Sequence, residues 1–522
     1  MSAATPSRIR RLCAALAAGL VVLGIGATSA LASYDASDPA QKAQYDAALS
    51  LATRGYEYGV PLLDMQKTFA TSTSVNVANG RGGGPVNAFS NFAKLADAKD
   101  RTVVAPNADT LYSMAWLDLS GQPQVIHTAR GTKRFHVLEL LSPYEENFAN
   151  IGAPDRALPD GDYLVTGPGF KGRVPKGLTR VRSPYDRVWI IGRTFISGRA
   201  DLAATQKVMR TYRITPLDRW NAARPDGYVQ PKPRTPDRTK NDAHIPGTAP
   251  GEDPATFFDA LGDELVRFPP PAADRPILAQ LRTLGIGPGL HPTTGGTLSD
   301  AQLQALRDAV TQGPGEVQGK FVARYFEGFD KYNGWAISTL GKYGTDYTFR
   351  AMIDKVGLGA PLPEVAMYPL ALLDHDRSPL TGTKRYVAHF PAKYARPPVR
   401  FFWSMTLYDN DGFFVDNPIG RYLVNDRSGL KYNADGSLDV YIQPDAPANA
   451  VQRRNWLPSP QPTAPTPGFR LIVRLYGLSQ AGIRGVVAGT GWQGPTILAC
   501  GGGNVTSQGT ACAASEEADG GA

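Results

Sequence analysis

The sequence predicts an α+β chain with two antiparallel β-sandwich or jelly-roll-like domains and a helical insert between them. Three observations carry this. Short aromatic or β-branched runs with a period of two occupy two separate stretches, and a stretch with helical periodicity and capping residues lies between them. Gly 55 and Pro 43 make about a fifth of 522 residues without a three-residue repeat, which supplies turns and excludes collagen.

Each element has its own signal. Tyr45, Leu49, Ala52, Tyr56 and Val60 recur at three- and four-residue steps, so residues 33–65 read as a helix, followed by a glycine-rich loop at 79–85. Period-two runs at 110–119, 134–141, 162–166 and 187–194 then give the first sandwich, within a domain of 33–200. The insert spans 201–355. Asp201 caps its first segment, Asp253-Pro254 is a cap followed by proline at the first helical position, and Ser299 with Gln302 forms a capping box. Helical character is expected to run through 317–353, where Phe321, Tyr325, Phe329 and Tyr332 form a stripe of the kind that packs into a core. Strands at 385–390, 400–408, 437–443 and 469–476 make the second sandwich, within 356–497, and 498–522 is expected to be a disordered tail. The ten residues from Tyr112 to Gly121 align with those from Trp403 to Gly412, which raises a duplicated sandwich as a hypothesis.

The first 32 residues read as an export leader: Arg8, Arg10 and Arg11, an apolar run from Leu12, then Ala30-Leu31-Ala32. Cleavage after Ala32 predicts a periplasmic or secreted protein with no stable membrane span, and Sec and twin-arginine export both stay open. Losing three arginines changes the charge from +8 to +5, with 52 basic and 47 acidic residues dispersed along the chain. No basic stripe or binding motif points to nucleic acid. Cys500 and Cys512 are an even pair in an oxidising compartment, bridged or free.

Several runs are familiar together: Ala105-Pro-Asn-Ala-Asp-Thr-Leu-Tyr-Ser113, Leu140-Leu-Ser-Pro-Tyr-Glu-Glu-Asn-Phe-Ala149, Val188-Trp-Ile-Ile-Gly-Arg-Thr194, Phe402-Trp-Ser-Met-Thr-Leu-Tyr-Asp409, Asn455-Trp-Leu-Pro458 and Leu475-Tyr-Gly477. The chain resembles a widespread bacterial family of mostly exported proteins built from two linked domains of unknown function. The likeness covers roughly 85–215 and 360–480. It implies paired β-rich domains and carries no catalytic set.

Standard chemical signatures are absent. Gly167-Pro-Gly-Phe-Lys-Gly172 fits a dinucleotide fingerprint but leads into Arg-Val-Pro, so it reads as a turn. Asp109, Asp118, Glu139 and Tyr144 are the candidate acid–base residues, with Asn107, Tyr112, Trp116 and Asn147 as ligand-binding neighbours. Strand alternation puts Tyr112, Met114, Trp116 and Asp118 on one face, so an aromatic surface ending in carboxylates could hold a sugar or polyol. The plainer account makes Asn107, Asp109 and Asp118 local turn residues. Glu139 lies in an apolar strand, where burial would raise its pKa, with an exposed edge position as the alternative. In the second half, Phe402, Ser404, Thr406 and Tyr408 share a strand face, with Trp403 on the other. Arg385, Asn417, Arg421, Lys431 and Trp456 are candidate partners for an anionic group, against ordinary pairing with nearby aspartates. Asp374, His375 and His389 offer metal ligands or a solvated hairpin turn.

These residues predict an exported protein that takes a polar small molecule or glycan-like ligand in an aromatic cleft to which Trp116, Trp403 and Trp456 contribute, as a hydrolase or lyase. A non-catalytic binding or envelope protein and a metal-dependent enzyme are the alternatives. Cofactor, substrate and oligomeric state are left open.

Overall fold

The computed structural model describes residues 34–101, 104–128, 131–152, 158–225, 227–229 and 243–500. The leader, Cys512 and part of the loop before residue 243 lie outside these. Eight helices are described: α1 Pro39–Thr73, α2 Leu202–Met209, α3 Thr256–Arg267, α4 Arg275–Leu281, α5 Asp300–Gly328, α6 Tyr347–Gly357, α7 Ala450–Arg454 and α8 Gln480–Ala488. The first half holds β1 Ser90–Asn91, β2 Thr110–Asp118, β3 Gln124–His127, β4 His136–Leu141, β5 Asn147–Gly152, β6 Asp162–Thr166, β7 Thr179–Arg182, β8 Arg187–Phe195 and β9 Arg213–Pro216. The second holds β10 Ala366–Met367, β11 Leu370–Ala371, β12 Tyr386–Phe390, β13 Val399–Asp409, β14 Leu423–Asn425, β15 Leu438–Gln443, β16 Trp456–Pro458, β17 Phe469–Leu478 and β18 Thr496–Ala499.

Alternating side chains close each half into a two-sheet sandwich. In the first, sheet I (β1-β2-β8-β4-β5) turns Leu111, Leu117, Leu138, Leu140 and Ile190 toward Ile126, Tyr163, Val165 and Ile214 of sheet II (β7-β6-β3-β9). In the second, sheet III (β10-β17-β13-β14, with β11 also on β17) packs Trp403, Met405, Val473 and Leu475 against Phe390, Val440 and Ile442 of sheet IV (β16-β15-β12-β18).

The two sandwiches have one topology. In chain order, β2 through β8, then α2 and β9, correspond to β10/β11, β12 through β17, then α8 and β18. The central strands are β8 and β17, and each sandwich has one parallel pair, β6 with β7 and β15 with β16. The ten-residue comparison joins the wrong strands, because β2 matches β10/β11 whereas β13 matches β4. The duplication therefore rests on topology alone.

The capping box of Ser299 and Gln302 forms as expected at the start of α5. The expected continuous helix over 317–353 instead stops at Gly328 and resumes at Tyr347. Asn333 (φ 53°) and Gly334 (φ 84°) take left-handed conformations between the two helices, and the Asn333 amide donates to the Gly494 carbonyl at 3.0 Å. Helices α1 and α3–α6 bury their apolar faces in one layer. Met65 and Phe69 of α1 cover Trp116, Trp189 and Ile191 of sheet I, while Phe135 and Val137 of the same face meet Val365, Phe402 and Tyr476. One face of sheet I thus meets sheet II, and the other is shared by the helices and sheet III.

Candidate functional site

The seam between sheets I and III holds most of the buried polar chemistry from the first run of family motifs. The loop before β2 is plugged into the second sandwich. The Ala105 N–H donates to the Gly412 carbonyl at 2.8 Å, and the Ala105 and Pro106 carbonyls accept from Arg474 Nη2 (3.0 Å) and the Tyr408 hydroxyl (2.6 Å). Asn107 Nδ2 donates to the Tyr476 hydroxyl at 2.5 Å, and its Oδ1 accepts the Asp109 N–H at 2.7 Å. Asp109 Oδ1 accepts from Asn425 Nδ2 (3.1 Å) and Arg427 Nη2 (2.5 Å). Asn107 is thus the turn residue, and Asp109 is a clamp between domains.

Beside the plug, Glu139 on β4 receives a hydrogen bond from Arg193 of β8. Both are buried, Glu139 at 0% exposure. Burial pushes the Glu139 carboxyl up to about 7, against the charge and hydrogen bond of Arg193. Arg193 Nη2 also donates to the Gly359 carbonyl at 3.2 Å. Gly359 has φ +77°, and a Cβ there would stand 2.3 Å from Ile191 Cδ1, so the close approach needs glycine. The Arg193 guanidinium lies 5.6 Å from the Tyr112 ring, and that of Arg474 lies 5.5 Å from Tyr368 and from Tyr408. Glu139 Oε1, Arg193 Nε, Asp109 Oδ2 and Ser404 Oγ have no hydrogen-bond partner.

Two openings flank this cluster. Tyr112 and Tyr368 are half-buried, and a narrow cleft lined by Arg81, Phe92 and Lys94 reaches Asn107 and Tyr112. A wider groove of about 500 Å³ lies along the seam, lined by Lys133, Arg134, Phe401 and Phe402 together with Phe135, whose ring packs edge-on to Tyr476.

The sequence candidates divide accordingly. Asn107, Asp109, Tyr112, Glu139 and Tyr408 meet in the seam. Asp118 is exposed at the far end of β2, where it accepts from Ser120 N and Oγ as a turn residue. Tyr144 donates to the Phe268 carbonyl at 2.8 Å in the helical layer, and the Asn147 N–H donates to the Gly341 carbonyl while its amide meets Asn150. Trp116 stacks on Trp189 with centroids 5.2 Å apart, and Trp403 fills the second core. Trp456, 5% exposed, donates to the Gln443 carbonyl. An aromatic cleft built on these three tryptophans does not form, because their large apolar faces are spent on packing.

The proposed anion pocket of the second half does not assemble either. Arg421 donates to the Arg453, Arg454 and Trp456 carbonyls, and Asn417 closes a turn onto Val415 and Arg421. Lys431 exchanges backbone bonds with Asn455, and Arg385 accepts the Cys500 N–H on its carbonyl at the edge of sheet IV. Asp374 accepts from the Ser378 N–H in a tight turn, whereas His389 pairs with Asp439 at 2.7 Å. Among the described residues no three acidic, histidine or cysteine side chains are grouped to hold a metal ion. No helix among them is long and apolar enough to cross a membrane.

Arg193, Tyr368, Asn425, Arg427, Arg474 and Tyr476 are the seam residues the sequence reading missed. Arg193 and Arg474 carried a signal, a charge inside an apolar strand in Ile190-Ile-Gly-Arg193 and Leu471-Ile-Val-Arg474, the argument already applied to Glu139; the other four did not.

This two-sandwich architecture defines a protein of paired domains. Residues 86–216 match the family described as "Protein of unknown function (DUF1254)" and residues 365–480 the one described as "Protein of unknown function (DUF1214)", so the chain carries one domain of each. No curated protein matches it. Among solved structures it is similar to the VPA0106 protein from Vibrio parahaemolyticus, at 21% identity and TM-score 0.59 over 87% of this chain and 99% of that one. An uncharacterized protein from Burkholderia cenocepacia has 15% identity and TM-score 0.36, over 84% and 94%. The first likeness is one of fold.

Proposed function

We propose that the chain binds a polar small molecule at the seam and transforms it by acid–base chemistry, as a hydrolase or lyase, with Glu139 carrying the proton. The observation that supports this most is Glu139 itself: a buried carboxyl held near neutral ionisation, with one oxygen free of partners and half-buried tyrosines beside it. Arg193 sets its orientation. A screen of polar small molecules, glycans and esters should find a substrate whose turnover falls about 10²- to 10⁴-fold in Glu139→Gln, the usual contribution of a general acid or base. Equal turnover in that variant removes Glu139 from the chemistry.

A non-catalytic binding protein is the second reading. It is favoured by the separation of the other acid–base candidates, since Asp109 is clamped, Asp118 is exposed and Tyr144 lies in the helical layer. A ligand that binds in the seam without turnover selects it. Export rests on the leader, and we propose a mature chain that begins at Ser33. N-terminal sequencing of the exported protein tests this, and an unprocessed Met1 contradicts it.

A further inference from the structure

We propose that the seam ligand carries a carboxylate or a phosphate and that Arg474 receives that group. The inference rests on the ligand-binding reading of the seam and names its substrate class. Arg474 is 3% exposed, and its recorded hydrogen bonds all go to neutral oxygens: Thr406 Oγ1 at 2.9 Å and the carbonyls of Ala105 and Pro106 at 3.0 and 3.5 Å. Among the described residues no carboxylate comes within 4.0 Å of it. A guanidinium has five N–H donors and a full charge, and burying that charge without a counter-ion is costly.

The duplicated scaffold shows what is missing. Each central strand brings an arginine into the seam, Arg193 from β8 and Arg474 from β17. The strand β4 beside β8 supplies Glu139, whereas β13, its counterpart beside β17, presents Phe402, Ser404, Thr406 and Tyr408 on the alternation that faces the seam. Ser404 pairs in register with Arg474, and its hydroxyl has no partner. The second sandwich therefore has the cation and a spare hydroxyl without the acid. Across the seam, Arg193 pairs with Glu139 and Arg427 with Asp109 and Asp426, which leaves Arg474 as the buried arginine whose charge an oxyanion would balance. A ligand oriented in this way points its acid group at Arg474 and its reactive end at Glu139.

The test is titration calorimetry of the mature chain with benzoate, its neutral isostere benzamide and inorganic phosphate at fixed ionic strength. Benzoate or phosphate should bind at least about tenfold more tightly than benzamide, and Arg474→Gln should abolish that preference while Arg474→Lys keeps part of it. Binding of phosphate alone assigns the phosphate class, and of benzoate alone the carboxylate class. Arg474→Gln also loosens the 105–106 loop, so a wild-type crystal soaked in para-bromobenzoate gives a reading without any variant. The bromine signal should lie in the seam with the carboxylate on Arg474. Benzamide binding in the seam as tightly as benzoate overturns the anion inference and leaves the ligand reading intact. Oxyanion binding unchanged in Arg474→Gln, or a bromine site elsewhere, shows that Arg474 serves only to hold the loop. If no probe of either kind occupies the seam, both readings fall.

Discussion

Two buried clusters in this chain use the same residue types and differ in the balance of their charge. In the seam, three arginines stand with three acids, Arg474 has no acid of its own, and half-buried Tyr112 and Tyr368 edge the cluster. In the helical layer, Arg350 is 1% exposed, and its guanidinium lies 5.4–5.8 Å from the rings of Tyr347, Tyr144 and Tyr58. Acids dominate there. Tyr58 and Tyr347 donate to Asp274, Lys355 stands 2.5 Å from Asp64 and 3.3 Å from Asp354, and neither oxygen of Glu145 has a hydrogen-bond partner. Glu145 also holds a left-handed φ of 60°. Burial and Asp64 push Asp354 up to about 8, and burial with Asp354 raises Glu145 as well. A cluster with surplus acid must hold protons, whereas one with an unpaired arginine can take an acidic ligand.

The largest expected effect separates the clusters by pH. A carboxyl whose folded pKa is raised adds stability that is complete below its unfolded value and disappears as pH climbs through the folded one. Asp354 should therefore cost stability progressively from about pH 4 to about 8, with Glu139 adding the same sign up to about 7. Urea unfolding across this range should show the decline, and Asp354→Asn should flatten its upper part. An unchanged slope in that variant would place the titration elsewhere.

Next in size is the contrast between the two arginines. Arg193→Met leaves Glu139 buried without its partner and should cost about 3–5 kcal/mol at neutral pH, less in acid where Glu139 is protonated. Arg350→Met breaks no close ion pair among the described residues and should cost clearly less. Similar losses in both would erase the distinction drawn here. Gly359→Ala, which strains a left-handed backbone against Ile191 and Trp189, should cost about 1–3 kcal/mol in the same assay. Asp118→Asn should change stability by no more than about 0.5 kcal/mol and leave any turnover intact, since the side chain only closes an exposed turn.

Much of the fold was legible because the sheets alternate cleanly. The runs that became β2, β4, β6, β8, β12, β13, β15 and β17 all read as strands, and the capping box marked α5. Short β3 and β7 carried too few residues to show a period, β5 is interrupted by Asn147, Asn150 and Gly152, and β10 and β11 are split around Tyr368-Pro369, where proline removes a ladder donor. The site was half legible. Glu139 stood out as an acid in an apolar strand, but Arg193 and Arg474 carried the same signal and passed unnoticed. Which domain Asp109 would meet depended on packing 316 residues away, at Asn425, and no local pattern encodes that. The tryptophans misled because an alternating strand shows which residues share a face but not which face is covered.

The most direct measurement of the central claim is a crystallographic fragment screen of the wild-type mature chain, using neutral and acidic fragments in equal number. Density is expected between Tyr112, Tyr368 and Arg474, within reach of the free oxygen of Glu139, while the Arg350 cluster stays empty. Fragments confined to the outer groove beside Phe401, or found around Arg350 with the seam vacant, would contradict it.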